Sequence, residues 1–325
     1  EVELIDFGIP LADLEAVLGQ TPAITRLTPE LALAALPLPR PATTHKYQQG
    51  HLLLVCGSRQ YMGAAILAGA AARASGVGML SIAVPETLRL LLIGHLPDAV
   101  VIGCPETDSG AIAALPGLDL AKYQAIACGP GLTKAAAPIV QTLLDCPALL
   151  LLDADGLNIL ADLLPQTPQV LQARPAATIL TPHWGEFKRL FPALVGQRGE
   201  PADRLNLAQQ AVQQTGAVLL LKGARSIIAA PNPNNAPSVW LNPDSTPALA
   251  RGGSGDVLTG LLGGLLAQGV LHNRTVAATV NSAAWWHAQA GRLAAQQRTE
   301  LGVDASTLVQ FLIPALAAYQ NHPVR

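Results

Sequence analysis

The middle of the chain alternates short apolar runs with helical segments. The run HLLLVCG at residues 51–57 ends in glycine and predicts a β-strand. The alanine-rich stretch MGAAILAGAAARASG that follows predicts a helix closed by Gly76, and MLSIAVP predicts a second strand stopped by Pro85. Together the three segments predict a β-α-β unit, which is the building block of a parallel sheet.

Later apolar runs carry almost no polar residues and are separated by helical segments. Four of them are YQAIACG, PALLLLDAD, ATILTP and AVLLLKG. Strands without alternation are typical of a parallel sheet buried on both faces, so the pattern predicts an α/β fold. After these runs, RSIIAAP and SVWLNP predict a hairpin, and residues 254–320 are predicted to be mostly helical. The early stretch LTPELALAALPLPRP has little periodicity, which is typical of a linker or of an arm packed on the body.

The charge and the length of the apolar segments limit the classes of molecule that the protein is expected to bind. Of the 325 residues, 13% are charged and the formal net charge is −2, so neither a nucleic-acid footprint nor a polybasic membrane surface is expected. The most apolar segments stop short of the roughly 20 residues that a bilayer requires, and the start lacks a basic region followed by an apolar core. We therefore expect a small molecule or another subunit as partner, with no nucleic acid and no membrane.

The cysteines indicate the cellular compartment of the protein, and the composition of the helices indicates its oligomeric state. Cys56, Cys104, Cys128 and Cys146 are scattered without CxxC pairing, which fits reduced thiols in the cytoplasm and argues against zinc. Helices rich in alanine and leucine, together with low charge, predict a homo-oligomer, with a tetramer as one candidate.

Four predicted strands change abruptly to glycine or polar residues where they end. The motifs at these ends are ACGPGL, LLDADGLN, LTPHWGE and LLKGARS. In an open parallel sheet, ligands bind beyond the carboxyl ends of the strands. Each motif alone also fits the glycine and proline residues that are common in loops after strands. Four such motifs at one edge of the sheet predict a binding site.

The stretch ARGGSGDVLTG at residues 250–260 combines Gly252, Gly253 and Gly255 with Asp256 at the start of an apolar run. Glycines before a helix let the backbone approach a ligand, and the free N–H groups of the first turn form an anion site suited to phosphate. Asp256 fits either a helix cap or a base that takes a proton from a hydroxyl attacking phosphorus. The chain has neither a Walker A loop nor a complete dinucleotide fingerprint.

A resemblance to a known family is carried by six motifs in chain order: GSRQYMGAAILA, CGPGL, LLDADGLNIL, LTPHWGEFKRL, LLKGARS and LARGGSGDVLTGLL. From about His45 to the C-terminus the chain resembles the NAD(P)H-hydrate dehydratases, a branch of the ribokinase-like superfamily. The resemblance implies a ribokinase-like three-layer sandwich at 45–325, with a mostly parallel central sheet and helices on both faces. It also implies an enzyme that uses ADP in bacteria, or ATP in eukaryotes, to dehydrate the S epimer of hydrated NADH or NADPH.

The beginning of the chain carries a second resemblance. VELIDFGIP at residues 2–10 is similar to the end of the epimerase domain that precedes the dehydratase in bifunctional members. We therefore expect residues 1–44 to be a linker or arm, the remnant of such a domain, and we expect no epimerase activity.

The resemblance also implies roles for individual residues. Asp256 matches the catalytic acid, which deprotonates the hydroxyl of the hydrate so that it attacks the terminal phosphoryl group. The anion hole would be lined by Gly253, Ser254 and Gly255. The nucleotide-binding positions would be Lys222, Gly223, Ala224, Arg225, Ser226 and Gly255. The hydrated coenzyme would contact Ala65, Gly131, His183 and Asp256.

A magnesium site is a further expectation. Asp153, Asp155 and Asn158 follow one predicted strand and Glu186 follows the next, so together they fit hydrated Mg²⁺ near the phosphates. Asp155 and Asn158 fit the capping of a helix beginning near Leu157 equally well.

Four other positions have a structural interpretation. His183 also fits a satisfied structural imidazole, and Lys222 also fits a solvated strand end. Trp285 and Trp286 are predicted to be core or subunit contacts rather than an adenine platform.

Two rival functions fit the same residues. A ribokinase-like kinase for a vitamin or small alcohol would share the glycine-rich anion hole and the base, but its product would stay phosphorylated. A nucleotide sensor would bind without turnover.

Overall fold

Ten strands form one sheet in the computed structural model, which describes residues 24–163, 166–195, 203–233 and 236–321. In chain order the strands are β1 (Thr25–Arg26), β2 (His51–Val55), β3 (Met79–Pro85), β4 (Val100–Cys104), β5 (Ala125–Cys128), β6 (Leu149–Leu152), β7 (Thr178–Leu180), β8 (Val218–Leu221), β9 (Ser226–Ala230) and β10 (Ser238–Asn242). Across the sheet the order is β1-β10-β9-β8-β7-β6-β5-β2-β3-β4. The chain runs outward from β2 to β4 and then returns to the other side of β2, which places a topological switch point between β2 and β5.

The seven strands β2 to β8 are parallel, whereas β9 runs antiparallel to both of its neighbours. Successive side chains of β2 enter two different cores. Leu52 and Leu54 join the core on one face, and Leu53 and Val55 join the core on the other. Because both faces of the sheet are covered, these strands are apolar throughout, as the sequence predicts.

Helices cover both faces of the sheet and complete a three-layer sandwich. In the described part of the chain the α-helices are α1 (Pro29–Ala34), α2 (Met62–Ala74), α3 (Arg89–His95), α4 (Ala137–Leu144), α5 (Ala154–Asp162), α6 (Thr167–Gln172), α7 (Trp184–Leu190), α8 (Pro192–Val195), α9 (Arg204–Thr215), α10 (Ser254–Leu271), α11 (Val276–Arg298) and α12 (Ala305–Asn321). Helices α1 to α3 and α10 to α12 contribute to one core, and α4 to α9 contribute to the other.

Helix α10 packs against α2 and against β2 and β5 of the sheet, and most of its residues are buried. A Cβ at Gly260 would lie only 1.9 Å from the Ala68 carbonyl oxygen, so glycine is what allows α10 to approach α2 so closely. Among the described helices α10 alone is long and apolar enough to cross a membrane, yet 78% of it is buried inside the protein, which is typical of a core helix. Its burial explains why the apolar run after Asp256 shows no amphipathic face.

The predicted β-α-β unit is confirmed as β2, α2 and β3, and α2 is closed by Gly76 with a φ of +78°. The predicted hairpin is confirmed as the antiparallel pair of β9 and β10. The edge strand β4 and the short strand β1, which pairs with β10, were not predicted.

The described part of the predicted arm packs on the body of the protein. Leu36 and Ala32 are buried, and Ser282 donates a hydrogen bond to the Ala32 carbonyl at 2.6 Å. Arg40 donates to Gly76 and Gln268 at 2.6 Å each. The boundary between 44 and 45 stays a prediction, and the motif VELIDFGIP lies outside the described residues.

Candidate active site

A cavity of about 1130 Å³ opens at the carboxyl ends of β6, β7 and β8, where the start of α10 faces it. Its wall includes Asp153 after β6, His183 after β7 and Lys222 after β8. Gly223, Ala224, Arg225 and Ser226 of the predicted nucleotide loop also line it, as do Gly253, Ser254, Gly255 and Asp256 of the predicted anion hole. The structure therefore brings together the two segments for which the sequence predicts phosphate binding.

The backbone at the start of α10 is open toward the cavity. Gly253 adopts the left-handed conformation with a φ of 89°, and no side chain caps the helix there. A Cβ at Gly253 would lie 2.7 Å from Leu67 Cδ1 and 2.8 Å from Ala305 Cβ, so this position requires glycine for both backbone and space. The amides of Gly255 and Asp256 fall in the first turn, where a helix offers N–H groups without an intrahelical partner. This is the geometry of an anion site.

Asp256 carries a perturbed carboxyl group in this first turn. Burial chiefly raises its pKa to about 6, and the nearby carboxylates of Asp153 and Asp155 raise it further, while the Lys222 charge opposes them. A carboxylate with a pKa near the working pH is suited to accept a proton from a reacting hydroxyl.

Lys222 is held by a buried carboxylate. Its Nζ lies 2.6 Å from Asp153 Oδ1 and 4.0 Å from Glu186 Oε2, and Asp153 also accepts a hydrogen bond from Thr259 Oγ1 at 2.7 Å. Burial lowers the pKa of Lys222, but the charges of Asp153 and Glu186 outweigh burial, so the pKa is raised and the ammonium stays charged. The solvated strand end considered for Lys222 does not match this buried pair.

Gly255 lies beside this ion pair. A Cβ placed on it would be 3.6 Å from both Lys222 Nζ and Asp153 Oδ2. The ammonium and the open amides of α10 therefore face the same part of the cavity.

His183 caps helix α7. Its Nδ1 accepts hydrogen bonds from the Gly185 amide at 2.9 Å and the Glu186 amide at 3.3 Å, and Glu186 Oε2 in return accepts from the His183 amide at 2.8 Å. This reciprocal arrangement is a capping box. Because Nδ1 accepts, Nε2 is the ring nitrogen that carries a proton, and it lies 3.4 Å from Glu186 Oε1, while 54% of the side chain remains exposed. The structural role of the imidazole is thus present, and the exposed part of the ring lines the cavity.

The residues of the predicted magnesium set have protein partners. Asp155 accepts from the Thr133 amide at 2.8 Å and from Asn158 at 3.3 Å, and Asn158 in turn accepts from Arg189. Asp153 holds Lys222. In the described ranges, no group of three or more His, Cys, Asp and Glu side chains is arranged to hold a metal ion.

Two residues predicted to contact the hydrated coenzyme lie outside the cavity wall. Ala65 is fully buried in α2. Gly131, with a φ of +66°, lies against the start of α2, where an added Cβ would be 2.8 Å from the Tyr61 carbonyl oxygen. Contact of either residue with the coenzyme stays a prediction.

Several residues at the site were missed by sequence reasoning. Thr259 fixes Asp153, and His287 on α11 lines the cavity and contacts Ser254. The segment from Asn242 to Ala250 forms another wall. A polar residue inside an apolar helix is the single sequence signal that marks Thr259 and His287. Trp285 and Trp286 are buried in the core, as predicted.

The sequence matches a known family over most of its length. A family model described as NAD(P)H-hydrate dehydratase matches residues 52–314. The bifunctional NAD(P)H-hydrate repair enzyme Nnr of Synechocystis is 52% identical over 315 residues, which cover 97% of this chain and 58% of that protein. The Nnr of Thermosynechococcus vestitus is 52% identical over 314 residues, covering 96% and 58%. The chain therefore spans 58% of the length of these curated relatives.

Solved structures agree with the sequence comparison. The ADP/ATP-dependent NAD(P)H-hydrate dehydratase of Bacillus subtilis, co-crystallised with ATP and Mg²⁺, superposes with a TM-score of 0.73 at 30% identity, covering 91% of this chain and 98% of that one. A ribokinase-like superfamily protein of Enterococcus faecalis superposes with a TM-score of 0.74 at 24% identity, covering 91% and 96%, and supports the fold alone. The predicted ribokinase-like fold is confirmed, and the chain belongs to the NAD(P)H-hydrate dehydratase family.

Proposed function

We propose that this chain uses ADP or ATP to dehydrate the S epimer of NAD(P)H hydrate and so restores NADH or NADPH. Membership of the dehydratase family supports the reaction, and the ADP/ATP dependence of the Bacillus subtilis relative supports the co-substrate. The observation that carries the proposal is the convergence of Asp256, Lys222 and the open amides of α10 on one cavity.

The geometry supports a two-step reaction. In the first step, the Asp256 carboxylate takes the proton of the hydrate's hydroxyl, whose oxygen attacks the terminal phosphorus of the nucleotide. The bond from that phosphorus to the bridging oxygen breaks and releases AMP from ADP, or ADP from ATP. In the second step, the phosphate ester leaves as inorganic phosphate with the carbon–oxygen electron pair. The adjacent carbon gives its proton to water, and the electron pair of that carbon–hydrogen bond forms the ring double bond of the dihydronicotinamide.

The remaining groups of the site would stabilise the charge of the transferring phosphoryl group. The amides of Gly255 and Asp256 donate toward it, and the Lys222 ammonium lies beside them. Residues 223–226 would hold the other phosphates of the nucleotide. His183 would contact the hydrate through the part of its ring that is exposed to the cavity.

A magnesium ion bound with the nucleotide fits this donor set. Mg²⁺ keeps several waters and is usually held by one or two carboxylates together with substrate phosphates rather than by a protein cage. Asp153 and Glu186 line the cavity, so their carboxylates would hold the waters of the ion, whereas Asp155 accepts from Thr133 and Asn158 and does not line the cavity. The chemistry that the ion supplies is neutralisation of phosphate charge.

We also propose a cytoplasmic homo-oligomer whose partners are small molecules. All four cysteines are free and buried, which fits a reducing compartment. Leu90, Ile93 and Val100 are exposed apolar side chains near the edge strand β4, a surface suited to another subunit. Sedimentation that finds only a 33.7 kDa species would contradict the assembly.

The test of the function is an assay of the purified chain with hydrated NADH, Mg²⁺ and either ADP or ATP. We expect the absorbance of dihydronicotinamide to return in step with release of inorganic phosphate, and no change without nucleotide. A stable phosphorylated product would instead indicate a kinase. Nucleotide binding without any turnover would indicate a sensor, and either result would overturn the proposal.

A further inference from the structure

His287 reaches the open start of α10 from the neighbouring helix. It lies on α11, is 7% exposed and lines the cavity. Its Nε2 lies 3.0 Å from the Ser254 carbonyl oxygen and 3.4 Å from Ser254 Oγ. Ser254 is the first residue of α10 and directly precedes the two open amides.

The contact identifies His287 as a neutral donor. Because a carbonyl oxygen only accepts hydrogen bonds, Nε2 must carry the proton. Burial chiefly lowers the pKa of His287 to about 4, and the Lys222 charge lowers it as well, although the bond to Ser254 opposes them. The ring therefore supplies a hydrogen bond near neutral pH without adding a charge beside the phosphate site.

The start of α10 needs such a support. Two glycines, Gly252 and Gly253, precede the helix, and glycine leaves the backbone its largest conformational freedom. No side chain caps the first turn. The hydrogen bond from His287 is thus a side-chain contact that restrains this turn from outside the helix.

We propose that His287 is a positioning residue for phosphoryl transfer, which acts by holding the Ser254 carbonyl and thereby orienting the Gly255 and Asp256 amides toward the transferring phosphoryl group. The inference rests on the proposed function. It assigns His287 no contact with the reacting atoms, since its influence passes through the backbone of Ser254.

The experiment compares His287→Gln with His287→Asn. Both remove the imidazole, but the glutamine amide reaches the position of Nε2, whereas asparagine reaches only as far as Nδ1. We expect kcat to fall about tenfold to a hundredfold in His287→Asn, because small displacements of reacting groups carry costs of this size. We expect kcat within about threefold of the wild type in His287→Gln. Equal kcat in the two variants would overturn the proposal, as would a loss that follows only the fraction of folded protein in thermal unfolding.

A second measurement separates this inference from the proposed function. Calorimetry gives the ratio of ADP affinity to AMP affinity, which reports contacts to the terminal phosphate without any turnover. His287→Asn should shrink this ratio and His287→Gln should preserve it, even if the wild type fails to dehydrate the hydrate. An unchanged ratio in His287→Asn would contradict the positioning role, whereas an inactive wild type with the expected ratios would contradict the dehydratase function alone.

Discussion

Of the helices that begin at the cavity, α7 and α10 have first turns that are completed in opposite ways. In α7, His183 and Glu186 occupy the first-turn amides through a capping box. In α10, Gly253 stands at the same position without a side-chain cap, so the amides of Gly255 and Asp256 stay open. Both helix starts carry the positive end of a helix dipole.

The difference separates a helix start whose amides are already capped from one whose amides are open to a ligand. A helix start whose amides already bind side chains is stable by itself, and an anion would have to displace those side chains. A helix start with open amides gives up the contribution of a cap, about 1 kcal/mol, and keeps a site for an anion. Of the two, α10 also carries the acid whose pKa is raised.

The largest loss of activity is expected from replacing Asp256 at the open start of α10. Asp256→Asn keeps the shape of the side chain and removes the proton acceptor, so kcat should fall about a thousandfold. Nucleotide affinity should persist, because the amides and Lys222 remain. Stopped assays and calorimetry on the same preparation measure both quantities. A kcat within tenfold of the wild type would leave Asp256 without its proposed role.

The next largest loss of activity is expected from replacing Gly253 at the open start of α10. Gly253→Ala introduces a Cβ at a φ of 89° and against Leu67 and Ala305, so it should destabilise the fold by about 1–3 kcal/mol and lower kcat by more than about tenfold. Denaturant unfolding and steady-state kinetics measure the two losses.

The neighbouring glycine provides the matched control. A Cβ at Gly252 meets nothing within 4 Å, so Gly252→Ala should change neither stability nor kcat appreciably. Equal behaviour of the two variants would show that the left-handed backbone of Gly253 does not shape the site.

Sequence reasoning reached the elements whose signals are local. The apolar runs predicted the parallel strands, and the glycines before Asp256 predicted an open helix start that the structure contains. Each of these signals lies within a few adjacent residues. The same holds for the change from apolar to polar residues at the end of each strand that reaches the cavity. The edge strand β4 was missed although its run VVIGC carries no polar residue, and at the edge of the sheet it is buried less completely than the central strands, with Val100 54% exposed.

Contacts between distant segments could not be predicted in the same way. The bonds of Asp153 to Lys222 and Thr259 join residues that follow β6, follow β8 and lie on α10. No periodicity encodes such a pair, so Asp153 was interpreted only as a possible metal ligand. His183 shows a related limit, because its capping role depends on the direction of one ring nitrogen.

A smaller effect is expected on the pH dependence of stability, through the carboxyl group of Asp256. The pKa of Asp256 is about 6 in the folded protein against an ordinary value of 3.8, so the folded state holds this proton more tightly than the unfolded chain. The contribution of Asp256 to stability is therefore present below about pH 4 and is lost as the pH rises to about 6. Asp256→Asn lacks this loss, and its Tm should exceed that of the wild type by about 2–4 °C above pH 6.

Activity should rise over the same pH range in which the contribution of Asp256 to stability falls. Because the carboxyl must be ionised to accept a proton, kcat/KM of the wild type should rise up to about pH 6. Thermal scans and rates across this range check both trends. A Tm difference that does not vary with pH would indicate that Asp256 titrates normally.

The smallest effect is expected at the filled helix start, and it tests whether His183 does more than cap α7. His183→Ala removes the acceptor for two amides and should cost about 1 kcal/mol of stability, whereas His183→Asn keeps a good N-cap and should cost less. Both variants lose the exposed imidazole ring, so both should raise KM for the hydrate if the ring edge contacts the substrate. If asparagine restores stability and KM together, His183 serves the helix alone, and the substrate site at this edge must be built from other residues.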